Sequence, residues 1–295
     1  MPPIKDSTAD ERSELSKRIL PEMTLAKGNA DKSAAALSAA DRFSISGNAV
    51  ITGGTGAIGM AVARALLQHG LRGLAIWDLK TTESADKLRE LQDEFPTARI
   101  QALDVDVTSE DQVAEVMGKT VERLGSVDML VCFAGIVGCV HALDMPASQF
   151  RRVLDVNTTG TFLCAQAAAR QMVAQGTGGS IVMTASISGH SVNWPQPQVA
   201  YNISKAGVIM LKSSLAAEWA RYGIRVNSVS PGYMDTVLNE GPGLERARRS
   251  WCERNPMGRM GMPEEVAGVV VMLLSPAGRY MNGADVVVDG GGLVF

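Results

Sequence analysis

The sequence predicts an α/β fold, a doubly wound sheet of seven parallel strands with helices on both faces. Three observations predict it. From Phe43 onward, short apolar runs alternate with longer helix-patterned segments, the signature of strand–helix–strand units. The runs are nearly continuous in apolar residues, as in strands covered on both sides. The first run passes directly into a glycine-rich turn, Gly53-Gly54-Thr55-Gly56.

Each unit can be read in order. Asn48–Thr52 is a strand, followed by a helix over Ala57–His69. Leu74–Asp78 and Ser84–Phe95 repeat the unit, as do Ile100–Asp104 and Ser109–Leu124. Met129–Phe133 precedes a long helix over Phe150–Ala174. Ile181–Ala185 precedes a second over Ala200–Tyr222. Val226–Ser230 and Val286–Asp289 complete seven strands. Pro263-Glu264-Glu265 has the character of a helix start. No linker or internal repeat follows Phe43, so residues 43–295 are expected to form one domain. Residues 1–42 mix charge with Ala and Ser and are expected to be a flexible extension, with a short helix across Asp31–Ala40.

Composition narrows the function. The 295 residues carry a formal net charge of −3 and are 46% hydrophobic and 20% charged. That balance lacks the basic field of a nucleic-acid or anionic-membrane binder. The longest apolar run, Val266–Leu274, contains Gly268 and falls well short of the ~20 residues of a membrane span. The charged N-terminus lacks an apolar signal core. The four cysteines and three histidines are scattered, which speaks against a disulfide framework or a zinc site. A cytoplasmic location with reduced thiols is expected.

The turn from Thr52 to Gly59 joins the first strand to the first helix. Glycines there allow a pyrophosphate close to the backbone, and the helix N-terminus offers free N–H groups. Thr52, Gly53, Thr55, Ala57, Ile58 and Gly59 are candidate dinucleotide contacts. Asp78 closes the second strand. A carboxylate there can accept hydrogen bonds from an adenosine ribose and would repel a 2′-phosphate. NAD(H) is therefore expected over NADP(H), with Lys80 as the opposing signal. Asp106 and Val107 could border the adenine, although Asp106 could equally cap the turn at Thr108 and Ser109.

Tyr201 and Lys205 lie four residues apart on a predicted helix and share a face. An ammonium group beside the phenol would stabilise phenolate and lower the Tyr201 pKa, making it a candidate acid or base for an alcohol or carbonyl oxygen. The pair follows Ala185-Ser186-Ile187-Ser188-Gly189.

With these landmarks in order from about Phe43 to Gly292, the chain resembles the short-chain dehydrogenase/reductase family. The resemblance implies a Rossmann-type fold and a Thr-Gly-x-x-x-Gly-x-Gly turn. Thr52, Gly53 and Gly59 match, while Ala57 stands where the family has its middle glycine. Phe133-Ala134-Gly135 replaces the family's Asn-Ala-Gly. Asn157 matches its active-site Asn, which holds a water in the proton relay. Tyr201 and Lys205 match its catalytic pair, with Lys205 also on the nicotinamide ribose. Pro231, Gly232, Met234 and Thr236 lie in the segment expected beside the nicotinamide. The family's serine maps to Ser188 by the commoner spacing and to Ser186 by alignment on the strand and Gly189. Ser186 is the reading adopted, with Ser188 beside the substrate.

The longer loop from Gly189 to Gln198 is similar to that of fungal polyol dehydrogenases and ketose reductases. His190, Asn193, Trp194 and Gln196 are its candidate substrate contacts. Together these features imply a metal-free oxidoreductase acting on a polyol/ketose pair, such as arabinitol, xylitol, sorbitol or mannitol. The alternatives are a bulkier secondary-metabolite alcohol or ketone and, more remotely, a non-enzymatic dinucleotide-binding protein. The family resemblance also implies a homotetramer built on the two long helices and the C-terminal strand.

Overall fold

The structure, a computed structural model, describes residues 37–236, 239–241 and 243–294. Most of the expected N-terminal extension lies outside the described residues. The expected helix over Asp31–Ala40 falls mainly outside the described residues, and within them the helix is one turn, Ala39–Arg42, capped by the Ser38 hydroxyl.

Seven parallel strands form one sheet in the order β3-β2-β1-β4-β5-β6-β7. They are β1 (Asn48–Thr52), β2 (Gly73–Asp78), β3 (Arg99–Asp104), β4 (Met129–Cys132), β5 (Gly179–Thr184), β6 (Ile224–Pro231) and β7 (Asp285–Val288). The order reverses between β1 and β4, so a crevice opens at the C-terminal ends of these two strands, where open α/β sheets bind ligands.

Alternate strand residues feed two cores. Val50, Trp77, Leu130, Cys132, Ile181 and Met183 face one. There they pack against α3 (Glu110–Leu124), α5 (Thr161–Gln175) and α6 (Val199–Trp219). Ala49, Ile51, Ile76, Val131 and Val182 face the other. Its helices are α1 (Ala57–Gln68), α2 (Ala85–Glu94) and α8 (Pro263–Leu274). Period-two alternation thus divides each apolar run between the sheet's two faces. The largest buried ring, Trp77, keeps its N–H satisfied by donating to Thr120 Oγ1 at 3.1 Å. Among the described residues no helix is long and apolar enough to cross a membrane.

The helix expected over Phe150–Ala174 also differs. The long helix after β4 is interrupted. It begins as α4 (Ala147–Leu154), widens into a π-helical turn over Asp155–Gly160 and resumes as α5. The cause is local to Asn157. Its side chain is committed to the loop after β4 (Ile136 N to Asn157 Oδ1 2.8 Å; Asn157 Nδ2 to Ile136 O 2.9 Å). The Thr161 hydroxyl takes up the Asn157 carbonyl at 2.7 Å. Such single wide turns commonly occur at functional positions.

Candidate active site

The turn after β1 has no room for side chains at two glycines. A Cβ on Gly53, whose φ is +63°, would lie 2.5 Å from Ala134 N. One on Gly59 would lie 2.6 Å from Gly53 O. The close approach is completed by Ala134 N donating to Thr52 Oγ1 at 3.3 Å. Helix α1 starts after Gly56 with no side-chain cap, so its first N–H groups, including those of Ala57 and Ile58, face the crevice as an anion site. Ala57 itself is exposed, which explains how it can stand in a glycine position. These features fit a dinucleotide.

Asp78 is not a free acceptor. Its Oδ2 takes Thr55 N at 3.1 Å and Thr55 Oγ1 at 2.6 Å, and its Oδ1 takes Leu79 N at 2.8 Å. Thr55 therefore belongs to a lock between the turn and β2. Lys80 is exposed beside it and pairs with Glu83 at 3.2 Å. Asp106 caps its own turn, its Oδ1 accepting Thr108 N at 2.9 Å and Thr108 Oγ1 at 2.7 Å. These bonds hold its carboxyl below the usual value. Helix α3 is capped by Ser109, as the alternative for this turn anticipated. Val107 is buried against Gly160, where a Cβ would come within 2.8 Å of it. Phe133 packs into the second core rather than supplying a polar tie. Gly135 lies over both Asn157 and Lys205, with an added Cβ 3.2 Å from Asn157 Oδ1 and 3.8 Å from Lys205 Nζ.

The second part of the site is carried by the end of β5 and the first turns of α6. Lys205 Nζ lies 5.6 Å from the Tyr201 ring centroid and donates to Thr184 O at 2.7 Å. Burial lowers the Lys205 pKa to about 8. Burial also raises that of Tyr201, while the Ser186 hydrogen bond pulls the other way and the nearby Tyr233 phenol adds to the rise. The expected lowering of the Tyr201 pKa by the ammonium is thus reversed. Desolvation is the larger effect, and the ammonium is directed at the Thr184 carbonyl.

Ser186 opens a short 3-10 turn, Ile187–Gly189, and its hydroxyl donates to Ser188 Oγ at 3.1 Å. Ser188 N in turn donates to Ser186 Oγ at 3.1 Å. Asn157 reaches α6 through Ser204, its Nδ2 donating to Ser204 Oγ at 2.9 Å. That hydroxyl donates to the Tyr201 carbonyl at 2.7 Å. Ser204 was missed in the sequence because nothing in its spacing signals a link between distant helices.

Beyond Ser188 the long loop meets the segment after β6. Pro231 ends β6, and Gly232 N donates to Val288 O at 2.9 Å. A Cβ on Gly232 would lie 2.8 Å from Asp289 Cβ. Met234 is buried and bridges to Gly261, while Thr236 remains partly exposed. Tyr233 stacks on Trp251 of α7 (Glu245–Glu253), with centroids 4.2 Å apart. Asn193 Nδ2 and Gln196 Nε2 both donate to the Tyr233 hydroxyl, at 3.0 and 3.1 Å. Trp194 is 55% exposed at the rim. His190 turns to β7, with Nε2 2.9 Å from Asp285 Oδ2 and 3.2 Å from Ser230 Oγ. His190, although exposed, is thus a hydrogen-bonded tie between loop and sheet. Among the described residues no cluster of His, Cys, Asp or Glu could hold a metal ion.

Residues 54–292 match a family described as "Enoyl-(Acyl carrier protein) reductase". The chain is 38% identical to the NADP-dependent mannitol dehydrogenase of Hypocrea jecorina, over 85% of this chain and 94% of that one. It is 37% identical to a ribulose-forming D-arabinitol 2-dehydrogenase of Scheffersomyces stipitis, covering 82% and 92%. It is also 36% identical to the sorbose reductase of Schizosaccharomyces pombe, covering 84% and 97%. Among solved structures, a short-chain type dehydrogenase/reductase from Mycobacterium marinum superposes with TM-score 0.81 at 43% identity, covering 86% and 99%. A gluconate 5-dehydrogenase from Burkholderia cenocepacia, in complex with NADP and tartrate, gives TM-score 0.79 at 32% identity, covering 88% and 100%.

These relatives overturn the expected preference for NAD(H). One is named NADP-dependent and another was solved with NADP bound. The part of the expectation that the geometry corrects is Asp78 as a ready acceptor for the ribose hydroxyls, on which the NAD(H) preference partly rests. Three of its acceptor positions are already filled by Thr55 and Leu79.

Proposed function

Because the chain belongs to the short-chain dehydrogenase/reductase family and is an oxidoreductase acting on CH–OH groups, we propose that it interconverts a polyol and a ketose using NADP(H). The observation that carries the chemistry is the convergence of Ser186, Tyr201 and Lys205 where β5 meets α6. The relatives' substrates, mannitol, D-arabinitol and sorbose, support the polyol class.

When bound, the nicotinamide supplies or accepts a hydride at the substrate carbon. Tyr201 donates its phenolic proton to the substrate oxygen in reduction and takes it back in oxidation. Ser186 donates a hydrogen bond to the same oxygen, which stabilises the charge developing there. Lys205 holds positive charge beside the phenol and orients the ribose. Asn157 fixes the start of α6 through Ser204. The glycine turn from Thr52 to Gly59 cradles the pyrophosphate, and Lys80 lies at the end of β2 for a 2′-phosphate. Exposed apolar positions on α5, α6 and β7 (Val173, Ile203, Met210 and Val287) support a homotetramer joined through those elements.

The test is cofactor turnover with five- and six-carbon polyols and with bulky secondary alcohols, each with NADP⁺ or NAD⁺, in the native chain and Tyr201→Phe. Polyol turnover with NADP⁺ that drops ~10²–10⁴-fold in the variant is expected, the usual worth of a positioned acid or base. Activity confined to bulky alcohols would replace the polyol assignment.

A further inference from the structure

The cleft beyond Ser188 carries a chemistry that the hydride-transfer machinery does not use. It is lined by Ser188, Asn193, Trp194, Tyr233, Trp251 and Arg254. Its polar groups have unspent capacity. Trp251 Nε1 donates to Gln196 Oε1 at 3.2 Å, which fixes the orientation of that amide. Gln196 and Asn193 then each donate to the Tyr233 hydroxyl. With both acceptor positions filled, Tyr233 has only its own proton to offer. Asn193 Oδ1 is enclosed and accepts no hydrogen bond among the described residues. A buried carbonyl oxygen in that state calls for a donor.

Arg254 is the cation of this cleft. Its guanidinium lies over the Trp194 ring, 5.1 Å from the centroid. Among the described residues it makes no ion pair, whereas Arg248 and Arg259 of the neighbouring segment are both paired, with Asp235 and Glu265. Asp289 also lines the cleft, but its carboxylate is turned onto the N–H groups of Gly291 and Leu293, at 2.9 and 2.8 Å. A planar five-donor fork without a carboxylate is a ready partner for a carboxylate or phosphate.

We propose that this cleft takes a polyhydroxylated substrate with an anionic end, the anion on Arg254 and hydroxyls on Asn193 Oδ1 and the Tyr233 proton. The inference rests on the polyol reading and narrows it to sugar acids or sugar phosphates. Arg254 is exposed, so its replacement leaves the core intact.

The experiment compares kcat/KM for five- and six-carbon aldonates, polyol phosphates and neutral polyols, using the native chain, Arg254→Gln and Arg254→Lys. The expected result is at least a tenfold preference for one anionic class over the neutral polyols. That ratio should collapse at least tenfold in Arg254→Gln and partly recover in Arg254→Lys. KM for the anionic substrate should also rise with ionic strength. The two anionic arms decide between carboxylate and phosphate. Neutral polyols turned over as well as anionic ones, or a preference that survives Arg254→Gln, would overturn the inference while leaving the polyol reading in place. Turnover of bulky alcohols alone would end both.

Discussion

Replacing Asn157 by alanine separates two roles that one side chain can have. The amide makes three hydrogen bonds, two with the backbone of Ile136 and one with Ser204. The variant leaves those partners without it, in a place where Asn157 is fully buried. A buried group deprived of its partner costs about 1–3 kcal/mol. Ile136 is partly exposed, so its N–H and C=O each fall near the low end. Ser204 keeps its bond to Tyr201 and adds less. The sum is about 2–3 kcal/mol. At about 2–4 °C per kcal/mol for a chain of this size, Tm should fall by ~4–12 °C. Thermal melts at fixed chain concentration read this directly. Asn157→Asp should be destabilised at least as much, because it sets a carboxylate oxygen against the Ile136 carbonyl. A variant that melts with the native chain while kcat/KM falls would refute the clamp and leave only a kinetic role.

Other expectations follow from the same geometry. Lys205 has its folded pKa lowered to about 8 from 10.5 by burial. The unfolded chain therefore binds more protons between these values, and the Lys205 contribution to stability rises with pH across that window. Denaturant titrations should show this rise in the native chain and its absence in Lys205→Met, the difference between the two cancelling other groups. Reduction should also weaken above pH 8 as the ammonium is lost, and a pH–rate profile without that inflection would contradict the assignment. Gly59→Ala should raise KM for the dinucleotide at least tenfold and cost about 1–3 kcal/mol of stability, since its Cβ meets Gly53 O at 2.6 Å. Dinucleotide titration and melts on the same sample test it. Glu265 accepts Arg259 in a two-bond pair together with Met262 N, which lowers its pKa from 4.5 to about 2. Its contribution is complete above 4.5 and fades as pH falls toward 2, so the native chain and Glu265→Gln should converge in stability over that range.

The parts of the fold legible in the sequence are those governed by neighbours a few residues away. All seven expected strands are present with ends shifted by two residues or fewer, because each apolar run must divide itself between two faces. The four-residue spacing of Tyr201 and Lys205 needed only a helical period. What escaped depends on partners far along the chain. The π-helical turn needs Asn157 to find Ile136, 21 residues away. Asp78 loses its freedom to Thr55, 23 residues away, and no local pattern around Asp78 reports that. The stack of Tyr233 on Trp251 joins the segment after β6 to α7, and no local period signals it. The sign of the Tyr201 shift failed for a related reason. Sequence spacing gives proximity of charges, but not how deeply they are enclosed.

The wide turn at Asp155–Gly160 also acts as a phase adjuster. A π turn accommodates one residue more than an α turn, so it offsets the angular register of α4 from that of α5 by about 100°. The residues that line the crevice and those that pack against α3 and α6 are thereby freed from a shared 3.6-residue rhythm. Removing one residue from this turn would leave both helices intact yet swing Asn157 away from Ile136. The crevice and the helical layer behind it can change in sequence separately, because a single extra residue uncouples their clocks.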